Sequence, residues 1–265
     1  MKTDPDVRYG RVLWRGQSHY ALVPRHGAAR LLDAAPWAGG RPTGSELPSG
    51  ALESGDARLL CPVQPSKIIG IGRNYKKHAE ELKNELPEEP LMFFKPPSSL
   101  VDPGGTVELP PESTRVDYEG ELVVVIGQRC RRISVADAAR ASFGFSIACD
   151  VTARDLQTKD KQWTRAKGFD TFCPIGPYVV PLPDPGALNL QLLQNGELRQ
   201  NGNTRDMLFD VPRLIAYASN SMTLEPGDVI LTGTPEGVGP LSHGDRVTIR
   251  IEGLGELSFG VTTPA

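Results

Sequence analysis

The chain has 265 residues, a hydrophobic content of 39% and a formal net charge of −3 from 29 Lys and Arg and 32 Asp and Glu. This mixed balance offers no basic stripe, so we expect no nucleic-acid partner. No apolar stretch reaches the roughly 20 residues that span a bilayer, and an N-terminus with early acidic residues is not a signal peptide, so we expect no membrane partner. The 28 glycines and 24 prolines predict a turn-rich, β-rich α+β fold rather than a helical bundle.

The cysteines indicate the cellular compartment. They stand far apart without a Cys-x-x-Cys pair, at Cys61, Cys130, Cys149 and Cys173. Neither a thiolate zinc site nor a disulfide framework is expected from this pattern in a chain of this size. We therefore predict a reduced, cytoplasmic protein.

The first part of the chain differs from the rest. Short β-like segments at 11–14 and 19–23 precede a stretch rich in Pro, Gly and Ser at 36–55. This pattern is typical of a small β unit followed by a loose connection. We predict a β-rich N-terminal appendage over residues 1–60 and a main domain over residues 61–265.

The main domain is expected to begin with an apolar strand at 68–72. Asn74 then precedes a run with helical spacing over 75–86, where Leu82 and Leu86 lie four residues apart. The sequence therefore predicts a helix of about three turns directly after the first strand of this domain.

Three later signals predict the ends of elements. Ser134, three residues before an aspartate, is typical of the start of a short helix. The Asn195-Gly196 dipeptide between two extended segments indicates a hairpin with a type I′ turn. Asp210, two residues before a proline, predicts the start of another helix.

Two glutamates one residue apart, Glu119 and Glu121, open a β-branched apolar run. On a strand, residues i and i+2 point to the same face, so both carboxylates would aim at one spot. Like charges about 4 Å apart repel by roughly 4 kcal/mol at an effective dielectric near 20. Two exposed glutamates on a strand with one face in solvent would also fit this pattern. If the pair is buried, one carboxyl is protonated, a basic residue separates them, or a divalent cation does.

A third acid, Asp150, ends the apolar stretch 143–149. Asp is a favoured N-cap, so this residue could cap a following helix. Together with Glu119 and Glu121 it would instead complete a site of three carboxylates. Oxygen ligands without thiolates suit Mg²⁺, Mn²⁺ or Ca²⁺ rather than zinc, and three protein ligands leave positions open for water and substrate.

His78, Glu81 and Lys167 are candidates for acid–base and charge-stabilising roles. His78 lies three residues before Glu81 on the predicted helix, a spacing at which the carboxylate can hold the imidazole and raise its basicity. An ordinary exposed helix histidine has the same spacing. Lys167, among small and aromatic residues, could stabilise a developing enolate, or be a surface lysine.

Two glycine-containing loops are candidate ligand sites. The segment 70–72 follows a strand but lacks the glycine that would complete a dinucleotide fingerprint. The segment 232–239 lacks the Gly-Lys-Ser/Thr ending of a phosphate loop. Its N–H groups and hydroxyls could hold a small carboxylate, or the loop could be a structural turn.

Six ordered motifs over about 170 residues resemble the fumarylacetoacetate hydrolase family. The resemblance covers nearly everything from residue 67 to residue 261. The matching segments are Gly72-Arg73-Asn74-Tyr75-x-x-His78, Phe93-Phe94-Lys95-Pro96, Asp117-Tyr118-Glu119-Gly120-Glu121-Leu122, Asp150-Val151-Thr152-Ala153-Arg154-Asp155, Lys167-Gly168-Phe169-Asp170-Thr171 and Thr232-Gly233-Thr234-Pro235-x-Gly237-Val238-Gly239.

This resemblance implies a rolled β-sandwich, a homodimer, and Mg²⁺ or Mn²⁺ held by Glu119, Glu121 and Asp150. It implies that the pair of His78 and Glu81 activates water while Lys167 steadies an enolate. The residues that it places at the substrate are Arg73, Tyr75, Lys95, Arg154, Gln157 and Thr234.

The function that the resemblance implies is hydrolysis of a carbon–carbon bond in an acylpyruvate-type 2-oxo acid. The same metal-assisted enolate chemistry would support isomerisation of hydroxy-dienedioates or decarboxylation of oxaloacetate. A non-catalytic, metal-stabilised binding protein is the alternative outside enzymology. Mg²⁺-dependent oxalate binding without turnover of any oxo acid would favour that alternative.

Overall fold

A computed structural model describes residues 7–25 and 27–264. The strand-rich α+β class is confirmed. The strands, in chain order, are β1 (Val7–Trp14), β2 (Gln17–Pro24), β3 (Arg30–Leu32), β4 (Pro42–Glu46), β5 (Ala57–Leu60), β6 (Ile68–Gly72), β7 (Leu91–Lys95), β8 (Leu100–Val101), β9 (Thr106–Glu108), β10 (Val116–Tyr118), β11 (Gly120–Ile126), β12 (Ser142–Cys149), β13 (Thr152–Ala153), β14 (Cys173–Val180), β15 (Asn189–Gln194), β16 (Glu197–Asn203), β17 (Val229–Leu231), β18 (Gly239–Pro240), β19 (Arg246–Ile251) and β20 (Gly255–Thr262).

Helices are short and few beside these strands. The α-helices are α1 (Ala51–Ser54), α2 (Lys76–Glu81), α3 (Val135–Ala141), α4 (Arg154–Asp160), α5 (Thr164–Gly168) and α6 (Val211–Ser221), and 3-10 turns cover Pro36–Ala38, Pro97–Ser99 and Thr204–Asp206. Within the described ranges, none of these helices is long and apolar enough to cross a bilayer.

One large mixed sheet organises the molecule. Its strands follow the order β4-β3-β2-β1-β14-β12-β11-β17-β6-β7, with β5 paired to β1 and β8 to β14. A second sheet has the order β16-β15-β19-β20-β9, and a three-strand sheet, β13-β10-β18, lies beside the start of β11. The topology brings β6, β11, β12 and β17 side by side, and the candidate residues cluster where these strands meet the three-strand sheet.

Strand β11 is buried along its whole length. Its alternate side chains enter two different hydrophobic clusters: Leu122 and Val124 pack into one, and Val123 and Val125 into the other. A strand covered on both faces explains the continuous apolar run in its sequence. It also means that a carboxylate at the start of this strand is buried unless the site itself admits solvent.

The N-terminal strands join the large sheet. Strand β1 pairs with β14 through Tyr9 and Val179, with β2 along its whole length, and with β5 over residues 11–14. A small core that includes Val12, Ala21 and Leu31 fills the space between these strands and the segment 47–57. The first part of the chain is therefore hydrogen-bonded to the sheet that carries the site.

The predicted helix after β6 is too long. Helix α2 ends at Glu81, and Leu86, the last residue of the predicted helix, is 44% exposed. The α2 N-cap is Tyr75, without a side-chain cap. The Asn74 side chain turns away from the helix and clamps the chain instead: its amide donates to the carbonyls of Phe209 and Thr232, and its oxygen accepts from the Phe209 N–H.

The local end signals are confirmed elsewhere. The Ser134 hydroxyl accepts from the Asp137 N–H at the start of α3, and Asp210 caps α6 through the Arg213 N–H. Asn195 and Gly196 both have positive φ between β15 and β16, as a type I′ turn requires.

Candidate functional site

The three predicted carboxylates meet at one buried point. Glu119 lies between β10 and β11, Glu121 is the second residue of β11, and Asp150 follows β12, the strand paired with β11. The Asp150 N–H donates to the Glu119 carbonyl at 2.8 Å, which holds the ends of these strands together. One oxygen from each carboxylate lies within 4.8 Å of the other two. Asp150 caps no helix, because the N-cap of α4 is Ala153.

Three cations surround this carboxylate cluster. The Lys167 ammonium contacts Glu119 Oε2 at 2.7 Å and also Asp150 Oδ2. Lys95 Nζ donates to Asp150 Oδ1 at 2.6 Å and to the backbone carbonyl of Lys167. Arg154 donates to Glu119 Oε1 and, at 2.9 Å through Nε, to the buried Asp117. Basic side chains thus separate the acids, which is one of the ways of relieving carboxylate repulsion.

The pKa values of Glu119 and Glu121 are shifted in opposite directions. Burial alone would raise the pKa of Glu119, but Arg154 and Lys167 outweigh burial and hold that pKa far below its usual range. For Glu121 the balance is reversed: burial, and then repulsion from Asp150 and Glu119, outweigh the opposing effect of Lys167 and raise its pKa well above the usual value. Its Oε2 accepts the Gly233 N–H at 2.7 Å.

His78 lies beside the cluster rather than on the surface. Its side chain is 6% exposed, with Nε2 3.8 Å from Glu119 Oε1 and Nδ1 3.7 Å from Glu81 Oε2. Neither distance is a direct hydrogen bond, and Nδ1 is buried without a hydrogen-bond partner among the described residues. Burial lowers the pKa of the His78 imidazole, against the opposing effect of Glu119, which favours its neutral form.

The glycine loop at 232–237 holds Glu121 of the carboxylate cluster and Glu81 beside His78. Besides the Gly233 contact to Glu121, the Gly237 N–H donates to both oxygens of Glu81 at 3.2 Å. Gly237 has φ +93°, and a Cβ there would lie 2.2 Å from the Arg199 carbonyl oxygen, so only glycine fits. The Thr234 hydroxyl donates to the carbonyl of Gly120, the residue between the two glutamates.

A cavity of about 430 Å³ opens over this site. Its walls contain His78, Lys167 and four of the predicted substrate contacts, together with residues from the segments 83–90 and 155–165. The lining residues are Ile71, Gly72, Arg73, His78, Leu82, Asn84, Arg115, Glu119, Glu121, Arg154, Gln157, Thr158, Trp163, Lys167 and Thr234.

Two of the predicted substrate contacts lie behind the cavity wall. Tyr75 is buried and Lys95 is 1% exposed, and neither lines the cavity. Lys95 instead holds Asp150 and the backbone of Lys167, as described above. The substrate contacts of Tyr75 and Lys95 therefore stay predictions.

The donor set fits a hard divalent cation. Three carboxylates converge and offer only oxygen atoms as ligands, and the arrangement leaves one side open to the cavity. Mg²⁺ and Mn²⁺ favour such ligands and keep open positions for water or substrate. Lys167 contacts two of the same carboxylates, so its ammonium would compete with a bound cation for their charge.

Asp150→Asn should weaken Mg²⁺ binding by at least about 100-fold, because it removes a ligand charge. Titration calorimetry with the metal alone measures this loss without reference to turnover. Asp184→Asn, an exposed loop aspartate that accepts the Gly186 N–H, is the matched control and should bind Mg²⁺ as wild type does. Equal affinity in both variants would remove Asp150 from the metal site.

Three supporting residues, Arg115, Trp163 and Gln200, were not predicted from the sequence. Arg115 forks onto Asp117 through Nε and Nη2, and Trp163 packs against Phe93 at the cavity wall. Buried Gln200 joins the Gly120 N–H to Thr234 and Pro235. The Arg-x-Asp alternation of the first pair was a usable signal. Nothing local marks Gln200, which lies 80 residues from Gly120.

Protein-family profiles and a characterised relative are similar to this chain in sequence. Residues 67–262 match the profile "Fumarylacetoacetate (FAA) hydrolase C-terminal", and residues 7–62 match "Rv2993c-like, N-terminal". Oxaloacetate tautomerase FAHD1, mitochondrial, of Arabidopsis thaliana is 49% identical over 205 residues, which are 75% of this chain and 92% of that protein.

Solved structures of other proteins are similar to this chain over most of its length. A 2-hydroxyhepta-2,4-diene-1,7-dioate isomerase from Mycobacterium marinum superposes with a TM-score of 0.88 at 39% identity, covering 98% of this chain and 99% of that one. A fumarylpyruvate hydrolase from Pseudomonas aeruginosa, in complex with Mn²⁺ and pyruvate, reaches 0.71 at 34% identity, covering 78% and 92%. The motifs, the fold and these matches agree that the chain belongs to the fumarylacetoacetate hydrolase family of enzymes.

Proposed function

We propose that this protein is a Mg²⁺- or Mn²⁺-dependent enzyme that moves a proton at the carbon beside the keto group of a 2-oxo acid, interconverting keto and enol forms. The observation that carries the proposal is the buried imidazole of His78, whose Nε2 lies 3.8 Å from Glu119 in the carboxylate cluster. A neutral imidazole at this position can accept a proton near pH 7. The similarity to an oxaloacetate tautomerase makes oxaloacetate the first compound to test.

The cation, when bound by Glu119, Glu121 and Asp150, would supply Lewis-acid polarisation of the keto acid. The chain supplies the remaining chemistry. In the keto-to-enol direction, His78 takes the proton from the carbon beside the keto group and gives it to the keto oxygen; in the enol-to-keto direction it carries the proton back to the carbon. Lys167 brings positive charge to the oxygen at which negative charge develops. The aromatic and aliphatic parts of the cavity wall, Trp163 and Leu82, limit the access of water.

Carbon–carbon hydrolysis of an acylpyruvate is the second candidate. It is favoured by the placement of Glu81, whose carboxylate is held by the Gly237 N–H and faces Nδ1 of His78. A carboxylate at that nitrogen would stabilise the imidazolium formed when His78 removes a proton from water. The same pair would also assist proton removal from carbon, so the two reactions must be separated by experiment.

The separating experiment follows each substrate with purified protein and Mg²⁺, with a chelator control. Chelator-sensitive acceleration of the decay of enol-oxaloacetate absorbance, without release of pyruvate, would support tautomerisation. Pyruvate formed from oxaloacetate would indicate decarboxylation, and pyruvate formed from acetylpyruvate would indicate hydrolysis. No metal-dependent change with either compound would contradict both proposals, and Mg²⁺-dependent oxalate binding would then favour a binding protein.

The oligomeric state and the cellular compartment of the enzyme are also part of this proposal. We propose that the enzyme is a homodimer in the cytoplasm. Light scattering coupled to size-exclusion chromatography tests the dimer, and fractionation of the source cells tests the compartment.

A further inference from the structure

Arg73 differs from the other cations of the cavity. Arg154, Arg115 and Lys167 each contact a carboxylate of the chain. Arg73 lines the same cavity and is half-buried, yet it forms no hydrogen bond or ion pair with any residue that the structure describes. A partly desolvated guanidinium without a carboxylate is unfavourable unless a ligand supplies the partner.

The backbone at Arg73 adds a second observation. Its φ is +56°, in the left-handed region that favours glycine. The conformation is held from the next residue, because the Asn74 side chain is bonded on both sides to Phe209 and Thr232. A strained non-glycine residue that is locked in place at a cavity wall is typical of a functional site. The chain thus keeps an arginine where glycine would be unstrained.

We propose that Arg73 binds the second carboxylate of a dicarboxylic 2-oxo acid and so selects dicarboxylate over monocarboxylate substrates. This inference rests on the proposed function, in which the first carboxylate and the keto group belong to the metal side of the cavity. A monocarboxylate would leave the Arg73 guanidinium unmatched. A four-carbon dicarboxylic 2-oxo acid brings the missing charge, and guanidinium and carboxylate pair through two parallel hydrogen bonds.

A matched pair of compounds tests the selection. Oxaloacetate and acetylpyruvate share the 2-oxo acid end and an acidic CH₂, and differ in carrying a carboxylate or an acetyl group at the other end. Arg73→Gln should lower kcat/KM for oxaloacetate by about 10- to 100-fold, mainly through KM, the range for a lost hydrogen bond to a charged group. The rate with acetylpyruvate should change by less than about threefold on the same grounds. Arg73→Lys should recover part of the loss.

Binding measurements keep the inference independent of turnover. Calorimetry in Mg²⁺ should show oxaloacetate binding weakened in Arg73→Gln, while oxalate, which reaches only the metal side, binds as to wild type. Arg73→Gly should lose the same selectivity with a Tm at or above that of wild type, because glycine relieves the positive φ. Arg129→Gln, at an exposed arginine paired with Glu225, is the control.

Three results would overturn the role of Arg73. These are an equal loss for oxaloacetate and acetylpyruvate, an unchanged oxaloacetate affinity in Arg73→Gln, or a parallel loss of oxalate binding. If wild type binds oxaloacetate through Arg73 but converts neither compound, the proposed reaction fails while the inference stands. If wild type converts both compounds and Arg73→Gln leaves their ratio unchanged, the reaction stands and the inference fails.

Discussion

Replacement of Lys167 by methionine is expected to tighten Mg²⁺ binding by about tenfold or more while lowering turnover by at least about 100-fold. The opposite directions follow from one contact. The Lys167 ammonium contacts Glu119 and Asp150, two of the three carboxylates that would hold a cation. The ammonium would compete with a metal ion for the charge of these carboxylates, and methionine removes that competitor. The same variant loses the positive charge beside the reacting oxygen, so catalysis falls.

Calorimetry with Mg²⁺ alone measures the first effect, and the oxaloacetate assay measures the second. Without metal, the variant leaves Glu119 and Asp150 short of a cation, so its Tm should be lower and should rise more steeply on adding Mg²⁺ than that of wild type. Lys159→Met, at an exposed lysine in the last turn of α4, should change neither quantity. Weaker Mg²⁺ binding in Lys167→Met would show that the lysine assists the metal instead of competing with it.

Replacement of His78 by alanine is expected to lower turnover by about 10²- to 10⁴-fold, the range for a lost acid–base group. Mg²⁺ affinity should change by less than about threefold, because His78 approaches Glu119 only to 3.8 Å and contributes no ligand to the carboxylate cluster. The separation of the two readouts distinguishes this variant from the loss of a metal ligand. Steady-state rates at saturating Mg²⁺, together with metal calorimetry, provide the measurement.

The role of Glu81 is tested beside it. Glu81→Gln keeps an oxygen that can accept the Gly237 N–H but removes the charge facing Nδ1 of His78. Its rate should therefore fall less than that of His78→Ala. His243→Ala, in an exposed turn whose ring accepts from the Thr263 N–H, should retain the wild-type rate. Wild-type turnover in His78→Ala would end its assignment as the base.

Local sequence predicted some elements closely and missed others for a definite reason. The caps at Ser134 and Asp210 and the Asn195-Gly196 turn depend on bonds within a few residues, and all three are present. The spacing over 75–86 did not predict where α2 ends. The start of this helix was also not decided locally. Asn74 could have capped it, but its side chain is bonded to segments about 135 and 158 residues away.

The sequence by itself determined that Glu119 and Glu121 share one face, because a strand has a two-residue period. The tertiary structure decided that Asp150 joins them, by pairing β12 with β11, and it decided which cations meet these acids. It placed Lys95 behind the cavity wall and Lys167 in contact with two carboxylates, and it gave Arg73 no carboxylate partner among the described residues. Ion pairs between residues tens of positions apart depend on how strands are paired, and no local period encodes that pairing.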